Sequence, residues 1–284
     1  MCGGPTDISS HKPVSIRDAL YRELVKEQSY DLRIKVAEHF KDWGNDSVYS
    51  DLVLFERHLA ELSSVIVLVI ESPGAIAELG LFSIIKEFQE KLLVFVETDH
   101  YNQDSFIRLG PIDFLEKSHQ NRANCHRWTK QVGNRIEFDP DKAIDLQPEL
   151  AESVKERAAN PTKERLFDAD QWLDCTLLLC DFLNLHSALT IGEIRELFSA
   201  FGIAQTQTEI KQKLFLLERV GLVQMEPKGD QRFYVSLRAG RYLTMTARDP
   251  KFDLDRYRSD LLQDYGSNDK KRFRAIAQVR ERYA

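Results

Sequence analysis

The chain predicts an α/β protein: an open parallel sheet with helices on both faces, followed by a smaller domain of helices that closes on a β-hairpin. Three observations predict it. Apolar, β-branch-rich runs at 32–36, 65–70 and 92–96 alternate with segments of helical spacing, and a helix between two apolar strands makes a parallel pair. The run at 65–70 is apolar at every position, as a central strand covered on both sides must be. Beyond residue 165 the pattern turns to three helices and then two short strands around a Pro-Lys-Gly-Asp turn at 227–230.

The chain opens on Cys2-Gly-Gly-Pro5, which is loop chemistry with no strand in front of it. A glycine pair of this kind ordinarily follows the first strand of an open sheet, so a start about ten residues upstream, one strand and its lead-in, is expected. Leu52, Phe55, Leu59 and Leu62 recur at helical spacing, which predicts a crossover helix over 51–62 into the central strand. Glu71-Ser-Pro-Gly74 then reads as a turn, 76–88 as the next helix, and 92–96 as the strand after it. Residues 139–165 carry Pro140, Pro148 and Pro161 and read as a polar linker with at least one helical turn near 149–159.

In the second half, apolar spacing over 166–185, a helical segment at 190–198 and a helix at 209–220 stopped by Gly221 precede the hairpin at 222–225 and 232–235. This is the winged-helix order. The expected domains are therefore an α/β domain over 1–138, a linker over 139–165, a winged helix-turn-helix domain over 166–248 and a C-terminal helical tail over 249–284. The first is expected to be flavodoxin- or Rossmann-like.

Composition narrows the function classes. The chain of 284 residues is 43% hydrophobic and 30% charged, as globular proteins are, and its longest apolar run is too short to cross a bilayer. With no secretory leader in evidence, the cytosol is the expected location and no membrane partner is expected. Residues 1–165 carry 21 Lys+Arg against 28 Asp+Glu, and residues 166–284 carry 18 against 17. Within 211–248, eight basic residues face three acidic ones. On this local patch Lys211 and Lys213 on the predicted recognition helix and Arg232 on the wing are the candidates for nucleic-acid or partner contact, set against a plain solvated face. The cysteines at 2, 125, 175 and 180 form no CxxC pair and the histidines no metal spacing, so neither a metal nor a disulfide framework is expected.

The segment that carries chemistry is Glu71-Ser-Pro-Gly-Ala-Ile-Ala-Glu78 behind the central strand. Ligands on open sheets bind where strands end. Gly74, Ala75 and Ala77 let a ligand approach the backbone, and amides at the following helix start would face an anionic or ribose oxygen. Glu78 then falls in the first or second turn, according to whether Gly74 or Ser72 caps the helix. An ionised carboxylate beside a sugar attacks or stabilises the anomeric carbon while the base departs. The plain alternative is a glutamate favoured by the helix dipole alone. Glu71 is a candidate second carboxylate, Asp51 and Glu56 lie on the preceding helix, and Arg108 is a candidate phosphate contact.

Cys2-Gly-Gly4, Glu71-Ser-Pro-Gly-Ala-Ile-Ala-Glu-Leu-Gly-Leu-Phe82 and Ser105-Phe-Ile-Arg-Leu-Gly-Pro111 resemble the corresponding motifs of the nucleoside deoxyribosyltransferase-like effectors of retrons, bacterial anti-phage systems built on a reverse transcriptase. The resemblance covers residues 1 to about 115 by motif and extends to the winged-helix half by architecture. It implies that Glu78 is the nucleophile-like carboxylate and that Cys2, Gly3, Gly4, Ser72, Pro73 and Gly74 line the substrate. Base-exchanging relatives carry an acidic residue six positions before the catalytic glutamate, where this chain has Ser72, which shifts the implied activity toward hydrolysis. The implied function is a toxin that cleaves an N-glycosidic bond in a nucleotide such as NAD or in a nucleoside, with NAD or another nucleotide as substrate and no cofactor. The implied partners are the retron reverse transcriptase and its msDNA, and a homo-oligomer is expected. The rival readings are a nucleotide-sensing winged-helix DNA-binding regulator without catalysis and an inert scaffold.

Overall fold

The computed structural model describes residues 1–26, 32–36, 48–160, 164–247 and 251–283. Contacts divide the chain into two compact units, Met1–Lys41 with Glu56–Lys163, and Asp42–Phe55 with Glu164–Ala284.

The first unit is built on a parallel sheet of β1 (Ile66–Ile70), β2 (Leu92–Glu97) and β3 (Asn124–His126) in that order. β1 and β2 pair from Ile66 opposite Leu92 to Ile70 opposite Val96. Both strands are buried throughout, so their side chains feed two cores by strict alternation. Ile66, Leu68, Ile70, Leu92, Val94 and Val96 pack with Ala60 of α2 (Leu52–Leu62), Leu79 and Phe82 of α3 (Pro73–Ser83) and Leu115 of α5 (Asp113–His119). Val67, Val69, Leu93 and Phe95 pack on the other face with Ile16, Leu20 and Leu24 of α1 (Ile16–Lys26) and Leu150, Ala151 and Val154 of α6 (Pro140–Ala159). A two-residue-period strand buried on both faces reads as a continuous apolar run, which is why these two strands are visible in the sequence.

On the far side of β1 the ladder is one residue long. Cys2 bridges Leu68 in parallel, its N–H donating to the Val67 carbonyl and its carbonyl accepting from the Val69 N–H, each at 2.9 Å. Residues 32–36, expected to be a strand, form none. The Lys35 carbonyl accepts from the Met1 nitrogen at 2.9 Å. Val36 is nonetheless buried, and Leu32 and Ile34 pack against the second core.

Residues 139–165, expected to be a linker, instead hold the twenty-residue α6. Asp139 caps it by accepting from Asp141 N–H, Pro140 takes the first helical position, and Leu150, Ala151 and Val154 bury against the sheet. The Gln147 amide donates to the Ala19 carbonyl of α1 at 3.0 Å. Between β2 and α6 lie α4 (Thr98–Tyr101), a π-helical turn over Arg108–Ile112, and an antiparallel hairpin of β4 (Thr129–Val132) and β5 (Arg135–Phe138) that turns at Gly133, whose φ is +60°.

The second unit holds α7 (Trp172–His186), β6 (Ala188–Leu189), α8 (Ile191–Ala200), α9 (Gln207–Arg219), β7 (Val223–Lys228), β8 (Gln231–Ser236), α10 (Leu254–Asn268) and α11 (Lys270–Tyr283). Its sheet runs β6-β8-β7, antiparallel throughout. α8 and α9 each start on a reciprocal capping box, Thr190 with Glu193 and Thr206 with Glu209. α11 packs onto the sheet through Ala275, Ile276 and Val279 against Phe233 and Val235. Arg272 fastens this contact: it donates to the Ala188 carbonyl at 3.0 Å, pairs with Glu193 and Asp269, and lies 4.8 Å from the Tyr265 ring centre.

Residues 48–55 belong to this second unit and lie on α9. Tyr49, Phe55 and Phe215 form an aromatic cluster with centroids 5.3, 6.1 and 6.5 Å apart. The Gln212 amide donates to the Val48 carbonyl at 3.3 Å. The face of α9 that carries Gln212 and Phe215 is therefore covered by the chain itself.

Candidate functional site

At the carboxyl end of β1 the chain passes through Glu71 and turns into α3. Ser72 is the cap, with an extended backbone, its hydroxyl accepting from Ala75 N–H at 3.2 Å, and Pro73 follows at the first helical position. The same hydroxyl donates to the Gly3 carbonyl at 2.9 Å, tying the Cys2–Gly4 loop to the start of α3. With Ser72 as cap, Glu78 stands in the second helical turn. The dipole falls off within the first turn, so the field of α3 contributes little to its ionisation.

Glu78 is half-buried, and the buried Cys2 thiol lies near its carboxylate and that of Glu56 of α2. Burial is the largest cause pushing the Cys2 thiol up to about 12; the nearby Glu78 and Glu56 add to it, against the opposing N-terminal ammonium. The thiol therefore stays protonated across the physiological range. The outer side of α3 is open: a side chain at Gly80 would meet nothing within 4 Å, and one at Gly74 only the Ser72 hydroxyl at 3.9 Å.

The remaining expected site residues have partners of their own. Gly3 and Gly4 are packed against the protein's own groups: a Cβ on Gly3 would lie 2.9 Å from Arg17 Cβ, and one on Gly4 2.8 Å from Ser15 Cβ and 3.0 Å from Glu71 Cδ. Glu71 accepts three backbone N–H bonds, from Gly4 and Arg17 on Oε1 and from Ile16 on Oε2, all at 2.9 Å. Asp51 caps α2 by accepting from Val53 N–H at 2.8 Å and belongs to the second unit. Arg108, in the π-helical turn, lies 4.2 Å from the Tyr101 ring centre and 3.5 and 3.4 Å from Asp113 and Glu116, so its charge is already matched.

In the second unit Lys211 and Arg232 are exposed, as a phosphate contact requires. Lys213 is not: it is 1% exposed, donates to Gln205 Oε1 at 2.8 Å and lies 5.5 Å from the Trp172 ring centre. Its long apolar stem buys no exposure here, because the turn of α9 that carries it faces α7 and not solvent.

Two residues escape sequence reasoning. Glu97 ends β2 fully buried and accepts from the Thr129 hydroxyl at 2.9 Å, and His126 stands opposite it on β3, 3.8 Å from Glu149. Burial holds the His126 imidazole below the usual histidine range, with Glu149 opposing. Both occupy the sheet end where Glu71 and Ser72 emerge; the polar residue closing an apolar strand is the signal for Glu97, whereas the polar β3 offers none for His126. Among the described residues no three His, Cys, Asp or Glu side chains gather as a metal site, and no helix is long and apolar enough to cross a membrane.

Two Escherichia coli proteins are similar to this chain. One, named Retron Ec73 putative ribosyltransferase/DNA-binding protein, is 25% identical over 197 residues, covering 65% of this chain and 59% of its own. The other, named Retron Ec86 putative ribosyltransferase/DNA-binding protein, is 33% identical over 194 residues, covering 66% of this chain and 61% of its own. The chain thus spans about three fifths of the length of these relatives. The family model described as STM3845 retron effector protein matches residues 13–225, which include β1, the Ser72 cap, Glu78 and the whole of α9. With three quarters of its length inside that match, the chain belongs to the STM3845 retron effector protein family.

Proposed function

We propose that this chain is the toxic effector of a retron anti-phage system and that it cleaves an N-glycosidic bond, in a nucleotide such as NAD or in a nucleoside, with Glu78 at the centre. The observation that carries the reading is the half-buried Glu78 on α3, just past the carboxyl end of β1, with the protonated Cys2 thiol near it and the start of the helix open. The ribosyltransferase in the relatives' names agrees with it. The first unit is then a nucleoside deoxyribosyltransferase-like domain of the Rossmann-like class.

In this mechanism a Glu78 carboxylate oxygen bonds to the anomeric carbon as the bond from that carbon to the base nitrogen breaks. The electron pair leaves with the base, and a water then hydrolyses the glycosyl ester to free sugar and regenerated carboxylate. The Cys2 thiol lies beside the carboxylate, and Glu56 supplies a second negative charge that stabilises the developing positive charge on the sugar. A reverse transcriptase–msDNA complex restrains this activity until infection. The exposed Ile84, Phe106 and Leu109, at 72%, 85% and 60%, support self-association through the first unit in the cytosol.

The second unit reads as a winged helix, with α7, α8 and α9 followed by the β7–β8 hairpin, and the relatives' names include DNA binding. The rival function, a nucleotide-sensing DNA-binding regulator, needs α9 in a major groove. The cover of residues 48–55 over Gln212 and Phe215 and the burial of Lys213 weigh against it. Lys211 and Arg232 are left for backbone contact with msDNA.

Purified wild type and Glu78→Gln, incubated with NAD and a panel of nucleosides and nucleotides, decide the matter by chromatography of released base. Release by wild type alone, with the variant's melting temperature unchanged, is the expected result. Equal release by both, or none from either folded protein, overturns the assignment.

A further inference from the structure

In α/β folds with a glycine loop, the loop and the N-terminus of the next helix form the usual seat for a phosphate, because both offer free N–H groups. Here that seat is taken. Ile16 and Arg17, the first two helical N–H groups of α1, donate to Glu71, and the third, Asp18, donates to the Ser15 hydroxyl at 2.9 Å. From the loop, Gly4 N–H also goes to Glu71. The glycines are what allow it, since a Cβ on Gly3 would lie 3.1 Å from Glu71 Oε1 and one on Gly4 3.0 Å from Glu71 Cδ.

We infer that Glu71 is a built-in anion occupying the phosphate seat of the fold, so that a nucleotide reaching Glu78 has its phosphate met by other groups. Ser15 already caps α1 locally, yet Glu71 is brought in from 54 and 55 residues away to fill two further donors. A ligand phosphate at this position would have to displace a carboxylate holding three charge-assisted hydrogen bonds, each about twice as strong as a neutral one. The corollary for substrate binding rests on the glycosidase reading above; the seat itself does not.

The test compares melting of the full-length wild type, Glu71→Ala and Glu71→Gln in sodium chloride, with sodium acetate or sodium phosphate substituted at constant ionic strength. Glu71→Ala is expected to melt lower by on the order of 5–10 °C. Acetate and phosphate are expected to restore at least half of that loss and to shift wild type no more than a general salt effect does. Glu71→Gln, which keeps the seat filled without its charge, is expected to melt lower and not to respond. If Glu71→Ala does not fold in chloride, folding in acetate supports the assignment and failure in every anion overturns it. Equal responses of wild type and Glu71→Ala also overturn it. No step depends on turnover, so a failed glycosidase assay leaves this result standing.

Discussion

The contact between Cys2 and Glu78 has a direct chemical reporter in the reactivity of the thiol. An ordinary thiol of pKa 9.0 is about one tenth thiolate at pH 8, whereas one pushed up to about 12 is thiolate about once in ten thousand. Native Cys2 should therefore react with iodoacetamide about a thousandfold more slowly than the same residue in the urea-unfolded chain, read peptide by peptide by mass spectrometry. Glu78→Gln removes a neighbouring charge, so Cys2 should label faster, yet far below the unfolded rate, because burial is the larger cause. The linkage has a definite sign: the folded pKa is raised, so the stabilisation is complete below about pH 9 and is lost as pH climbs toward 12. Three units correspond to about 4 kcal/mol at the limit. Cys180, also pushed up to about 12 by burial, adds a second alkaline loss in the other unit, and Cys180→Ala separates the two. Native labelling of Cys2 within tenfold of the unfolded rate, or a Cys2 rate indifferent to Glu78→Gln, would refute the placement of the thiol against that carboxylate.

Gly4→Ala should cost about 1–3 kcal/mol in a denaturant melt, because the new methyl meets Ser15 Cβ at 2.8 Å and the Glu71 carboxylate at 3.0 Å, and neither can retreat without breaking the three-donor clamp. A neutral result would show that the loop is free to move. Phe55→Ala should cost about 3–5 kcal/mol, since the ring is 1% exposed between Tyr49 and Phe215. A loss under about 1 kcal/mol would mean that residues 48–55 do not hold to α9 in solution.

The parts of the fold that were legible in the sequence are those buried on both sides. β1 and β2 announce themselves because β1 is apolar throughout and β2 is apolar up to its final Glu97, and α2 because its apolar face repeats at helical spacing. β3 is three residues of Asn, Cys and His at a sheet edge, and the β4–β5 hairpin is largely exposed, so neither carries a hydrophobic period to detect. α6 resembles a linker in sequence because three prolines mark the segment 139–165, although Pro140 initiates the helix rather than ending it. Residues 32–36 failed in the opposite sense: their apolar alternation is real and buries Val36, but a strand needs a neighbour as well as a pattern.

At the candidate site, the strand, turn and helix that place Glu78 were legible because they are local, all within a dozen residues. Glu71 was not, and the reason is physical. A strand-end glutamate looks the same in sequence whether it meets water, substrate or backbone, and the three N–H groups that claim it lie 54, 55 and 67 residues away. Lys213 misled for the converse reason, since a charge count treats every lysine on a helix as solvent-facing, while this one is buried near Trp172 with its ammonium satisfied by Gln205. Both cases turn on where a charge finds its counterpart. The carboxylate at Glu71 is held by neutral dipoles, and the ammonium at Lys213 by a neutral amide and a ring. Neither pairing alters net charge or hydrophobic period, the two quantities by which a sequence reveals its sites, so sites built this way become visible only once the chain is folded.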